Sequence, residues 1–210
     1  EALRGSTDPA SNTGNDNTAL GYQTLRSNTT GEGNTASGSG ALFYNTTGFA
    51  NTATGTYSLN NNSIGNNNTA IGYRALESST TGNFNTASGS NALSYNTTGL
   101  WNTGIGSNAL YFNIEGNANV AVGNAALLSN ATGSSNTANG TDALFWNISG
   151  SSNTAIGHRT LFTNTTGVNN TAVGKEALLT ILTGSNNTAI GYKADVAEDA
   201  IVNATAIGSN

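Results

Sequence analysis

Few side chains in this sequence are equipped for catalysis. Its 210 residues hold one histidine, His158, and eleven carboxylates. General acid–base chemistry needs such groups paired or set beside a nucleophile. His158 has no such neighbour along the chain and reads as a surface residue. The acidic residues are scattered, apart from Asp195, Glu198 and Asp199. Hard cations favour carboxylate oxygens, but this cluster has neither calcium-loop spacing nor the G-G-x-G-x-D signature of calcium-binding β-rolls. It reads as a solvated bulge. Serine and threonine are plentiful without a base beside them, and the lack of cysteine removes thiolate ligands and disulfides. The expectation is a chain that is not an enzyme, with no catalytic residue, no metal site and no cofactor.

Aromatic side chains offer binding instead. They cluster as Phe43-Tyr44, Tyr95, Tyr111-Phe112, Phe145-Trp146 and Phe162, with a second set at Phe49, Phe84 and Trp101. Neighbours on a strand point to opposite faces, so a pair such as Phe145-Trp146 is expected to set one ring against something outside a thin fold. That partner is either another copy of the chain or a ligand such as a glycan or host protein. The N-x-S/T sequons, among them Asn28, Asn45, Asn96 and Asn164, are explained by turn chemistry without glycosylation.

What positions these residues is a repeat. The string N-T-A/G-x-G starts at Asn17, Asn34, Asn51, Asn68, Asn85, Asn102, Asn136, Asn153, Asn170 and Asn187, with variants at Asn119 and Ala204. Every interval is 17 residues or a multiple of it, and the consensus is N-T-A-I/V/S-G-x-x-A-L-x-x-N-T-T-G-x-x. With the first Asn as column 0, column 4 is always Gly, and column 8 is Leu from Leu25 to Leu178. Seventeen residues are too few for two-helix repeats or propeller blades, which need roughly 33 or more. They suit two short strands and two turns. The fold class is therefore all-β: a parallel β-solenoid, or β-roll, of about twelve coils, one strand through N-T-A-I-G and another through columns 6–10. At about 4.8 Å per coil the rod is roughly 55–60 Å long.

Individual columns acquire roles in such a stack. Asn68, Asn85, Asn102 and Asn153 form a ladder, each amide bonding to the coils above and below. Leu76, Leu93, Leu110 and Leu144 stack as the core, Ala at columns 2 and 7 completes it, and column 3 (Ile71, Ile156) reads as interior or interface. Gly72, Gly89, Gly106 and Gly157 mark one corner, and N-T-T-G marks the other, its Gly supplying positive φ. Residues 1–16 read as a degenerate N-terminal rung or cap, 17–191 as the regular solenoid and 192–210 as an irregular last rung. The sequence stops in mid-rung, so the natural protein is expected to continue.

Composition narrows the class. Apolar residues are 36% and charged residues 8%, against roughly 45–50% and about 25% in ordinary domains; the difference has gone to 35 Asn, 32 Thr and 27 Gly. A charge of −5 with six Lys and Arg gives no footprint for nucleic acid or anionic lipid. No apolar run is long enough for membrane insertion.

The stretch A-I-G-Y-K-A-D-V-A-E-D-A-I-V-N-A-T-A-I-G, Ala189 to Gly208, resembles the head repeat of trimeric autotransporter adhesins, and A-I-G recurs at Ala70 and Ala155. The wider array is similar to repeats in bacterial surface proteins and phage tail fibres, though the family's coil is usually three residues shorter. The resemblance implies a left-handed roll, a homotrimer and an extracellular place on a cell surface or virion fibre. The function expected is a non-enzymatic adhesive rod with multivalent surfaces. A phage-type tail-fibre shaft and a self-stacking filament subunit are alternatives. A third is an ice-binding solenoid, since Thr recurs at column 1, although only Thr52-Ala53-Thr54 carries the paired threonines such proteins favour.

Overall fold

Thr-Ala-x forms a strand in every repeat, because β-branched residues flanking a small one suit a pleated surface with a single buried side chain. In the computed structural model, which describes residues 13–196 and 199–209, these strands run from β1 (Thr18–Leu20) to β12 (Thr205–Ile207), each three residues long. They make one parallel sheet in which spatial order follows chain order. The register advances by one repeat per strand: Thr86 pairs with Thr103, and Thr103 with Val120. The chain is a parallel β-solenoid. Leu93 and Leu110 lie in successive layers, their N–H groups donating to Ala109 O and Ala126 O, each at 2.9 Å.

The core is narrow and uniform. Leu76, Leu93, Leu110 and Leu144, with their column 8 equivalents, are fully buried, as are Ala70, Ala87, Ala121 and Ala155 at column 2. Each such leucine contributes about 1.5–3 kcal/mol by leaving water. Column 3, expected inside or at an interface, points outward: Ile71 is 47% exposed and Ile156 42%. The reason is the two-residue period of a strand. Once Ala faces in, its neighbours face out whatever their size.

The second strand expected through columns 6–10 does not form. Those residues make turns, and the non-glycine residues at columns 6 and 8 adopt left-handed φ, as at Asn91 (56°) and Leu93 (52°). That conformation costs an L-residue roughly 1–2 kcal/mol. It is retained because it lets the backbone bond alternately to both neighbouring coils. Asn91 N donates back to Tyr73 O at 2.8 Å, whereas Leu93 N donates forward to Ala109 O at 2.9 Å. Stitching of this kind continues around the coil, so the short strands understate the backbone ladder.

The two recurring glycines serve different needs. At column 4 the φ of Gly72, Gly89, Gly106 and Gly157 lies between 126° and 141°, and a Cβ on Gly106 would stand 2.6 Å from Gly123 O. At column 14 the expected positive φ is absent. Gly116 is required there because a Cβ would sit 2.5 Å from Asn113 Oδ1. Most of the rung expected at residues 1–16 lies outside the described residues, although Thr13 N and Gly14 N bond to Thr29 O. Near the other end, Asp195 replaces the core leucine and accepts from Thr180 Oγ1 at 3.1 Å.

Candidate binding surfaces and the ladders that hold them

Asparagine fixes the spacing of everything on the surface. Column 0 forms the expected ladder: Asn119 Nδ2 and Asn119 N both donate to Asn102 Oδ1, at 3.2 and 3.0 Å. The same contacts join Asn68 to Asn85 and Asn136 to Asn153. Column 11, read from the sequence as turn asparagine, is a second buried ladder. Asn130 Nδ2 donates to Asn113 Oδ1 at 2.7 Å and also makes the local bond to Gly133 O at 2.9 Å. Gly133 O takes a further amide from Asn119 at 2.8 Å, so a column 14 carbonyl joins both ladders wherever column 11 is Asn. The sequons of this column, Asn28, Asn45, Asn96 and Asn164 among them, are fully buried.

Three outward surfaces result. The first is the outer face of the sheet, where column 1 threonines run beside the column 3 residues. The second carries the aromatics of columns 9 and 10. Here the expectation of opposite faces fails, because this segment is turn and not strand. Phe145 and Trp146 both point outward, rings edge to face at 4.9 Å, and Phe145 stacks on Phe162 at 5.2 Å. Tyr95, Tyr111 and Phe112 form a similar cluster, with centroids 4.6–5.5 Å apart; Phe43 and Tyr44 form another at 4.4 Å. Arg159 lies 4.3 Å over Phe162. Burial and the hydrogen bond and charge of Tyr95 hold the Tyr111 phenol above its ordinary value near 10; Arg74 opposes and Glu77 reinforces this. Trp101 belongs to the third surface, stacked on Phe84 at 6.1 Å. The aromatic residues therefore divide between two stripes.

His158 is exposed, its carbonyl accepting from Glu176 N. Asp195 and Asp199 lie near the last coils, while Glu198 falls outside the described residues. Among the described residues, no three His, Asp or Glu side chains are grouped to hold a metal ion.

Sequence reasoning passed over a notch on the second surface. Tyr22, Gln23, Ser39, Gly40, Phe43, Tyr44, Tyr57 and Asn60 line a hollow of about 240 Å³. Its signal was Gly40, the one glycine in column 6. No protein-family model, curated protein or solved structure matches the chain.

Proposed function

We propose that this chain is a non-enzymatic, rigid segment of a homotrimeric surface adhesin or fibre, acting outside the cell as a rod that carries multivalent binding surfaces. One observation carries the reading: the outer sheet face bears half-exposed aliphatic side chains in most coils, Ile71, Ile105, Ile156 and Ile190 among them, interrupted by Ser37, Thr54, Ser88 and Asn139. Apolar surface of that extent on a flat sheet favours cover by another protein surface, and identical copies supply one of the same length and spacing. Three linked copies raise avidity for a repeated target without any new contact. The shaft of a phage-type tail fibre works by the same physics.

Light scattering tests this. A mass near 63 kDa, three times the 21.1 kDa chain, is expected, and Ile105→Asp with Ile156→Asp should reduce it to that of a single chain. A stable wild-type monomer would overturn the assembly.

The same face favours a second reading, ice binding, because Thr52 and Thr54 point outward together and column 1 is threonine in nearly every coil. That function needs the face open to solvent. Thermal hysteresis from a monomer would establish it, whereas a trimer without hysteresis removes it.

A further inference from the structure

We infer that the notch at Gly40 is a binding site for a neutral saccharide, an inference that rests on the rod's role in presenting binding surfaces. Column 6 points outward, and elsewhere it carries a side chain such as Gln23, Tyr57 or Arg74. Gly40 removes that side chain in one coil. A Cβ there would lie 2.9 Å from Tyr57 Cδ1 and 3.2 Å from Asn60 Nδ2, so the Tyr57 ring and the Asn60 amide lean into the vacated space. Asn60 Nδ2 is anchored on Gly40 O at 2.7 Å, which fixes the amide and leaves its oxygen available as an acceptor. Tyr22, Tyr44 and Tyr57 are 65%, 53% and 41% exposed around the rim.

The lining decides the ligand's chemistry. It contains no Asp, Glu, Lys or Arg, so nothing in it balances a charged group, and burying one there unpaired would be costly. It offers aromatic faces, which take an apolar surface, beside amides and hydroxyls that both donate and accept. A pyranose ring has that duality, with an apolar C–H face and a rim of hydroxyls. At about 240 Å³ the hollow is smaller than the roughly 300–1,000 Å³ of pockets that enclose a drug-sized ligand. It takes one ring of a longer chain, the rest of which lies along the open surface. Single-site affinity is accordingly weak, and repetition across copies compensates.

Titration calorimetry of the full chain with maltohexaose, cellohexaose and chitohexaose tests the site. Binding of at least one in the millimolar range or tighter is expected. Gly40→Gln places in the notch the residue that column 6 carries one coil earlier, where it is accommodated at φ 57°, close to the 66° of Gly40. It should weaken binding at least tenfold while the mass stays unchanged and the chain still melts as one folded species, at a temperature lowered by the left-handed backbone that an L-residue must adopt there. Tyr57→Ala should weaken it similarly, and Trp146→Ala should not. Absence of binding to all three sugars, or binding unchanged by both Gly40→Gln and Tyr57→Ala, overturns the site. Scattering on the same samples separates the two proposals: a sugar-binding monomer removes the trimer and keeps the notch, and a trimer that binds none of the sugars does the reverse.

Discussion

The two asparagine ladders have the same residue, the same burial and the same repeat, yet they differ in tolerance. Column 0 is Asn from Asn17 to Asn187, whereas column 11 is broken by Ser79 and ends at Ile181. The difference follows from what each amide serves. Asn102 Oδ1 accepts the backbone N–H of Asn119 as well as its amide, and Asn102 Nδ2 donates to Gly116 O at 2.7 Å. Asn130 accepts only the neighbouring side chain, Asn147 Nδ2 at 2.8 Å. When column 11 loses an asparagine, the damage is confined to side-chain atoms. Asn62 Oδ1 is buried without a partner beside Ser79, itself unpartnered, and Asn164 Oδ1 is orphaned where Ile181 follows. A side chain that is the acceptor for a main-chain N–H of the next coil is hard to replace; one that bonds its own column and a turn carbonyl with a second donor is not.

The sharpest way to break this comparison is Asn102→Ala. It strips Asn119 N of its acceptor and leaves Gly116 O with only the bond from Asn113 Nδ2, and should cost about 2–4 kcal/mol, most of it from the orphaned N–H at about 1–3 kcal/mol. Asn130→Ala, measured by the same denaturant melt, should cost about 1–3 kcal/mol; equal losses would refute the distinction. Gly116→Ala strikes both ladders through their shared carbonyl column and should cost about 3 kcal/mol, from overpacking and disturbed hydrogen bonds together. Ser79→Asn works in the opposite direction. By pairing Asn62 Oδ1 it should raise stability by about 1 kcal/mol, and an unchanged or lower melting temperature would show that the broken rung is not under-bonded.

The smallest effect concerns pH. Neither ladder carries a titratable group, so the gap between Asn102→Ala and Asn130→Ala should be the same at mildly acidic and mildly alkaline pH. Tyr111 is different. Its folded phenol holds its proton above the ordinary value near 10, so its contribution is complete below that value. As pH rises through it, the unfolded chain ionises first and stability falls. Tyr111→Phe should flatten that alkaline loss in a melting series.

Much of the fold was legible because the register is strict. Columns 0, 4 and 8 announced a ladder, a corner and a core by recurring without insertion. The missing second strand was not legible, because Leu93 and its equivalents carry left-handed φ that leucine propensity gives no reason to expect. The bulk of Ile71 left its direction open between interior and interface, and strand alternation set against buried Ala70 places it outside. Asn130 was hidden by its local company, since N-T-T-G reads as turn chemistry and does make a turn bond. Among the candidate site residues, the aromatic clusters were visible as types. Their division into two stripes and the role of Gly40 depend on which way each column faces.

The stitched coil also sets an economy of reach. Seventeen residues advance this rod by about 4.8 Å, whereas the same number in an α-helix would span about 25 Å. A chain selected only to hold something far from its base has a far thriftier architecture available. The material here goes into circumference: every coil adds a fresh row of outward positions at fixed pitch. Each coil is thus a frame on which single substitutions in exposed columns change the surface without disturbing what lies beneath.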